Sequence, residues 1–125
     1  VSLFWDTIGD NMDQWRGVRI GNLSATEVRR DYIHTHVIIL QALGIAGKDL
    51  MSQFPNNWKT KIKNLKKINW LKNNPEWHQR VIVNGRVVKN SNSIILAANL
   101  IKKALGARLS VKEKALESKM KKNVK

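Results

Sequence analysis

The stretch from Ser24 to Gly44 most constrains the fold, because its apolar residues recur at the three- and four-residue steps of a helix. Ser24 and Glu27 have the spacing of a capping box, and Gly44 is a residue type that commonly ends a helix. From about residue 36 onward the stretch is apolar on nearly all sides, which is typical of a buried helix. The sequence therefore predicts a central helix over about residues 25–43.

The rest of the chain predicts further helices and one β-hairpin. Between Arg80 and Lys89, two runs of β-branched residues flank Asn84-Gly85, which is the strongest short signal for a type I′ turn. Gly106 and the capping-box pair Ser110 and Glu113 separate the last two predicted helices. We expect a mainly α protein, with roughly five to six helices around the central one and a short hairpin at about residues 80–89.

Length and composition favour one folded domain over residues 1–125. The 125 residues are 42% hydrophobic, and the chain lacks cysteine, which excludes disulfides and zinc–thiolate sites. No apolar run approaches the roughly 20 residues of a membrane span, so we expect a cytoplasmic protein. Because the chain starts at Val1 without methionine, we expect it to be a fragment of a longer protein, with residues 111–125 as a frayed basic tail.

The basic charge is concentrated in the second half of the chain. Residues 1–55 hold five Lys/Arg and six Asp/Glu, a net of −1, whereas residues 56–125 hold eighteen and three, a net of +15. Such an excess favours nucleic acid or an anionic membrane as the partner. A helix predicted from Trp58 to about Leu71 carries many of these lysines beside an apolar stripe too narrow for membrane burial. We therefore expect contact with DNA phosphates.

The hairpin predicts a second phosphate contact. A two-residue turn places Arg80 opposite Lys89, and like charges in that register repel unless an anion or carboxylate lies between them. The helix that follows would present its N-terminal N–H groups to the same place. Alternatively, side-chain caps satisfy those groups and a glutamate from elsewhere neutralises the cations. The residues that we expect to bind DNA phosphates are Lys59, Lys63, Lys66, Lys67, Arg80, Arg86, Lys89, Ser91, Asn92, Ser93, Lys102 and Lys103.

The sequence offers little for catalysis or metal binding. His34 and His36 lie two apart in a predicted helix, so they would point to different sides and cannot share an ion. Neither paired carboxylates nor a nucleophile–base arrangement is visible. We expect no enzyme activity, catalytic residue, metal or cofactor.

Three segments together resemble the C-terminal part of the DndB family of DNA phosphorothioate (sulfur) modification systems. They cover residues 28–50, 57–70 and 77–110. The family's Arg-x-Tyr-x-x-x-His, Trp…Leu…Trp and Gly-Arg-x-x-Lys features appear in that order. They fall on Arg30, Tyr32, His36, Trp58, Leu65, Trp70, Gly85, Arg86 and Lys89.

The resemblance implies a non-enzymatic, DNA-binding repressor of the modification operon. It also implies a larger protein whose N-terminal part bears an Asp-Gly-Gln-His-Arg motif, and this chain lacks that motif. The expected partners are double-stranded DNA and the N-terminal part of the same protein, with a second copy or other modification-system subunits as further partners, and no membrane. The alternative is a protein–protein docking domain without direct DNA contact, suggested by the apolar start Leu3-Phe4-Trp5.

Overall fold

A computed structural model describes residues 2–11, 33, 37–88 and 90–123. Its α-helices are α1 (Ser2–Asp10), α2 (Val37–Gln53), α3 (Trp58–Ile62), α4 (Ser91–Leu105) and α5 (Val111–Asn123). Two 3-10 helices span Lys63–Lys67 and Pro75–Trp77, and strands β1 (Ile82–Val83) and β2 (Arg86–Val87) form one antiparallel pair. The expectation of a mainly helical protein with one short hairpin is confirmed.

The central helix has different bounds from those predicted. Helix α2 continues through Gly44 to Gln53, so the prediction that Gly44 ends this helix is wrong. A glycine inside a helix costs about 1 kcal/mol, and the burial of Ala46 and Leu50 beyond it offsets that cost. The helix ends just before Pro55, which disfavours helical backbone in the residue preceding it. The predicted cap at Ser24 and Glu27 lies outside the described residues.

The core lies between α2 and α4, which pack against each other over most of their lengths. Ile38, Ile39, Leu43 and Leu50 supply one side of it, and α4 supplies the other side. The α4 residues that are fully or almost fully buried there are Ala97, Ala98, Ile101 and Leu105. The lysine-bearing 3-10 helix Lys63–Lys67 and α5 both pack against α4 of this pair.

The helix predicted from Trp58 to Leu71 is shorter than expected. It is α-helical only to Ile62 and then tightens into the 3-10 helix Lys63–Lys67. Side chains from the following turn bind the backbone there: the Trp70 indole N–H donates to the Leu65 carbonyl at 3.3 Å, and the Trp77 indole N–H donates to the Asn69 carbonyl at 2.8 Å. The predicted apolar stripe nevertheless faces the core, since Ile62, Leu65 and Ile68 are buried.

The hairpin matches the sequence-based prediction. Ile82 pairs with Val87 and Val83 with Arg86, while Asn84 (φ 53°) and Gly85 (φ 76°) adopt the left-handed backbone of a type I′ turn.

The end of α4 and the start of α5 also follow the prediction. Gly106, at φ 84°, ends α4, and the Ala107 N–H donates to the Lys102 carbonyl at 2.9 Å. Ser110 and Glu113 form the predicted capping box, with reciprocal hydrogen bonds of 3.2 Å and 2.7 Å. The polar helix predicted after this cap is α5, and its Glu117 is buried against the rest of the fold.

Candidate nucleic-acid interface

The segment Trp58–Lys67, called here the basic segment, carries an exposed row of lysines on a buried apolar base. Ile62 and Leu65 fix its inner side in the core. Lys61 turns back over the ring of Phe54, with its Nζ 4.1 Å from the ring centroid. The lysines of this segment that are exposed and form no ion pair with any described carboxylate are Lys59, Lys63, Lys66 and Lys67.

Arg80, at the hairpin base, is an internal residue. Its side chain is 9% exposed, and its guanidinium binds Glu117 in two-pronged fashion, with Nη1–Oε2 at 2.6 Å and Nη2–Oε1 at 2.7 Å. Nη1 also donates to the Leu96 carbonyl at 2.9 Å. This pairing contradicts the expectation that Arg80 binds a DNA phosphate. The alternative of a glutamate from elsewhere describes Arg80 correctly, whereas Lys89 lies outside the described residues.

The N-terminus of α4 is already capped by a side chain. Asn90 Oδ1 accepts from the Ser93 N–H at 2.8 Å, which occupies one of the amides predicted to face a phosphate. Ser93 itself is buried, whereas Ser91 and Asn92 are exposed. The predicted pocket at the hairpin base therefore lacks both the Arg80 guanidinium and the Ser93 N–H as free donors.

Lys102 is also internal, contrary to the expectation that it contacts phosphate. The structure leaves it with no exposed surface, and its Nζ forms ion pairs with Asp49 of α2 and Glu113 of α5. Lys103 differs from it, because its side chain is 47% exposed while its Nζ lies 3.0 Å from Glu117 Oε1. We call Arg80, Lys102, Lys103, Asp49, Glu113 and Glu117 the ion-pair network.

The charges of the ion-pair network are stabilised by their mutual contacts. Burial disfavours the charged form of Glu117, but hydrogen bonds from Arg80 and Lys103 outweigh it and hold the pKa of this carboxyl below its ordinary value. The pKa of Glu113 is lowered in the same way by Lys102, against the effect of burial. Burial opposes the charge of Lys102, yet the carboxylates of Asp49 and Glu113 raise the pKa of its ammonium group.

The carboxylates of this network were not singled out from the sequence, although a signal was present. Glu113 and Glu117 are two of three acidic residues after residue 55, and they stand four apart in a predicted helix. That spacing places both on one face, so this face carries both acids of an otherwise basic helix. Asp49 offers no comparable signal, because its contact with Lys102 joins residues far apart in the sequence.

Some of the predicted phosphate-binding residues are brought together and others are not. Lys67, Arg80 and Lys103 line one groove between the basic segment, α4 and α5. Arg86 is exposed on β2, next to the hairpin turn. Among the described residues, no group of three or more histidine, aspartate or glutamate side chains is placed to hold a metal ion. None of the described helices has the length and apolar character needed to cross a membrane.

Comparison with known proteins identifies one match. Residues 1–108 match the family model described as "DndB: DNA-sulfur modification-associated". No curated protein and no solved structure gives a significant match. The matched part includes the basic segment, the hairpin and α4, and it stops before α5 begins at Val111.

Proposed function

The chain belongs to the DndB family of proteins associated with DNA sulfur modification, and from this premise we propose that it is a DNA-binding regulator. In this proposal it acts in the cytoplasm as a repressor of a DNA phosphorothioate modification operon. It contacts duplex DNA mainly through phosphates and performs no catalytic step.

The observation that carries the proposal is the exposed lysine row of the basic segment. Internal carboxylates take up the charges of Arg80 and Lys102, whereas Lys59, Lys63, Lys66 and Lys67 meet no described carboxylate. Lysines held on a rigid, core-anchored base are suited to phosphates, because each contact releases condensed counterions from the DNA.

The backbone of the basic segment spaces its lysine side chains regularly. Lys63 and Lys66 lie three apart in a 3-10 helix, in which such side chains project from the same side about 6 Å apart along the axis. This separation is comparable with two phosphate intervals of one DNA strand, each about 3.4 Å when measured along the duplex axis. The exposed Arg86 beside the hairpin turn can add a contact to a base edge, since arginine is the usual partner of guanine in the major groove.

The test is a fluorescence anisotropy titration of a duplex with 5′-hydroxyl ends, repeated over a range of salt concentrations. We expect the Lys63→Ala/Lys66→Ala variant to bind more weakly and to lower the slope of log affinity against log salt by about 0.9 per lost contact. The matched control is Lys48→Ala/Lys112→Ala, which removes two exposed lysines from α2 and α5. Equal losses in both variants, or no binding by the parent chain at low salt, would refute this interface.

The regulatory part of the proposal has a separate test. A reporter driven by the promoter of the modification operon should be repressed by the parent chain, within its full-length protein, and released by Lys63→Ala/Lys66→Ala. Release by the control pair to the same extent would contradict it.

A second candidate function is docking to another protein surface. Trp5 and Val37 are 36% and 51% exposed, and together with Leu40 they line an apolar hollow of about 430 Å³. Exposed apolar surface of this kind favours protein contacts. The partner would be the N-terminal part of the same protein, a second copy of it or another modification-system subunit. Light scattering should then show association that is insensitive to salt and lost in Val37→Asp.

A further inference from the structure

A groove of about 700 Å³ lies where the basic segment, the turn around Pro75–Arg80, α4 and α5 meet. Its volume is within the range of sites that hold small organic ligands. It is separate from the outward lysine row, because Lys67 is the only one of the four exposed lysines of that row that lines it. The groove is therefore a second candidate binding site, distinct from the lysine row.

The cations of the groove exceed its acids. Lys67, Arg80 and Lys103 contribute three positive charges, against the carboxylates of Glu76 and of Glu117, which is shared between Arg80 and Lys103. The difference, 3 − 2, leaves a net charge of +1 before the exposed His78 is counted. Lys67 and His78 form no side-chain hydrogen bond or ion pair with another described residue, so both can donate to an anion.

The remaining lining is apolar. Ile68 and Leu100 are each 8% exposed and form the deeper walls, and Met120 of α5 and Pro75 complete the groove. Apolar walls beside a cationic end suit a ligand with a flat body and an anionic group. An isolated inorganic anion would leave these walls unused.

The backbone beside the groove supports a dedicated site. Gln79 has φ 66°, a left-handed conformation that is uncommon for a residue with a side chain. Its N–H donates to the Ile82 carbonyl at 2.9 Å, which holds the turn. The turn leaves His78 exposed and Arg80 buried although both line the same groove. Uncommon backbone conformations of this kind cluster at binding sites.

We propose that this groove binds a nucleoside 5′-phosphate, either as a free nucleotide or as the phosphorylated end of a DNA strand. Lys67 and His78 hold the phosphate, Lys103 adds its charge from the side of α4, and the base lies against Ile68, Leu100 and Met120. The site goes beyond the proposed contact with the duplex backbone and does not depend on it, because a free nucleotide can bind whether or not duplex DNA does.

The test uses the full chain and follows its ¹H–¹⁵N spectrum during titration with deoxyadenosine 5′-monophosphate. Deoxyadenosine and inorganic phosphate are titrated in parallel, and each should bind at least about tenfold more weakly. Deoxyadenosine lacks the charge-assisted hydrogen bonds of the phosphate, and inorganic phosphate lacks the contact of the base with the apolar walls. The shifts should be confined to the groove. Nucleotide binding no tighter than that of inorganic phosphate, or shifts spread over every lysine-bearing surface, would overturn the proposal.

Matched variants locate the site. Lys67→Ala and His78→Ala should each weaken nucleotide binding by about tenfold, whereas Lys63→Ala, an equal loss of charge from the same 3-10 helix, should change it by less than about twofold. Circular dichroism checks that each variant is folded. Equal losses in Lys67→Ala and Lys63→Ala would refute the site. Lys63 belongs to the proposed duplex interface but not to the groove. Nucleotide binding therefore tests the groove, whereas duplex binding by Lys63→Ala/Lys66→Ala tests the interface.

A last comparison separates the two sources of the ligand. Single strands of one sequence, with a 5′-phosphate or a 5′-hydroxyl end, are titrated against the full chain. Tighter binding of the phosphorylated strand, lost in His78→Ala, supports a strand end as the ligand. Equal binding of the two strands, together with binding of the monophosphate, supports a free nucleotide.

Discussion

The basic segment and the ion-pair network both contain lysines but use their charges in opposite ways. In the basic segment, Lys63, Lys66 and Lys67 lie outside a buried apolar base and meet no described carboxylate. In the network, Lys102 is fully buried between carboxylates of α2 and α5, and Arg80 is held by Glu117. A high local charge in the sequence therefore does not distinguish a binding surface from a structural one.

The difference shows what decides the role of a cation in this fold. A buried charge must be paired, because the cost of removing it from water is recovered only through a close partner. Two of the three acids of the basic half are used for that purpose, since Glu113 and Glu117 bind the buried Lys102 and Arg80. The exposed lysines of the basic segment keep their hydration and are available to a polyanion. The following variants test whether the paired cations stabilise the fold and the exposed lysines do not.

The largest effect should come from Glu117→Gln. The substitution keeps the shape of the side chain but leaves the buried Arg80 without a counter-charge, so we expect a loss of about 3 kcal/mol in the free energy of unfolding. Urea denaturation followed by circular dichroism measures this loss. The control is Glu76→Gln, the same change at an exposed acid, with an expected effect within about 0.5 kcal/mol. Similar values for both variants would show that the network does not stabilise the fold.

Lowering the pH should produce a weaker form of the same effect. Despite burial, hydrogen bonds from Arg80 and Lys103 place the pKa of Glu117 in the folded chain below its ordinary value of 4.5. A carboxyl whose pKa is lowered by folding contributes stability above its unfolded pKa and loses it as the pH falls through the folded pKa. We expect the free energy of unfolding to decrease on acidification below 4.5, and to decrease less in Glu117→Gln. Parallel pH profiles would contradict this assignment.

Two glycine substitutions should change stability in opposite directions. Gly106→Ala places a side chain at φ 84° and should cost about 1 kcal/mol, although the added Cβ would meet only Lys61 Nζ at 3.6 Å. Gly44→Ala should stabilise by about 0.5–1 kcal/mol, because Gly44 lies within α2 and no atom lies within 4 Å of the added Cβ. Thermal denaturation of both variants measures the difference. Destabilisation by Gly44→Ala would show that the helix does not continue through this position.

The smallest effect on stability should come from the basic segment. Lys63→Ala and Lys66→Ala remove exposed charges that have no described acidic partner, so each should change the free energy of unfolding by less than about 0.5 kcal/mol. Urea denaturation at the salt concentration of the DNA titrations gives the comparison. A loss above about 1 kcal/mol in either variant would place these lysines in the structural group rather than in the binding surface.

Several features of the fold could be predicted from the sequence because they depend on neighbouring residues. The type I′ turn needs only Asn84 and Gly85 between β-branched runs, and the cap of α5 needs only Ser110 and Glu113. The glycine at position 106 was correctly predicted to end a helix, whereas the one at position 44 was not. The apolar residues that follow Gly44 extend the buried face of α2, and burial outweighs the weak local preference of glycine.

Residue patterns alone were enough to predict the mainly helical class, the hairpin, the caps of the last two helices, the concentration of charge in the second half and the DndB family. Which cations are available to a partner depends instead on the packing of the helices. Arg80 meets Glu117 across 37 residues of sequence, and Lys102 joins Asp49 of α2 to Glu113 of α5. Such pairs form because helix packing brings distant side chains to one buried place, where an unpaired charge would be too costly to keep.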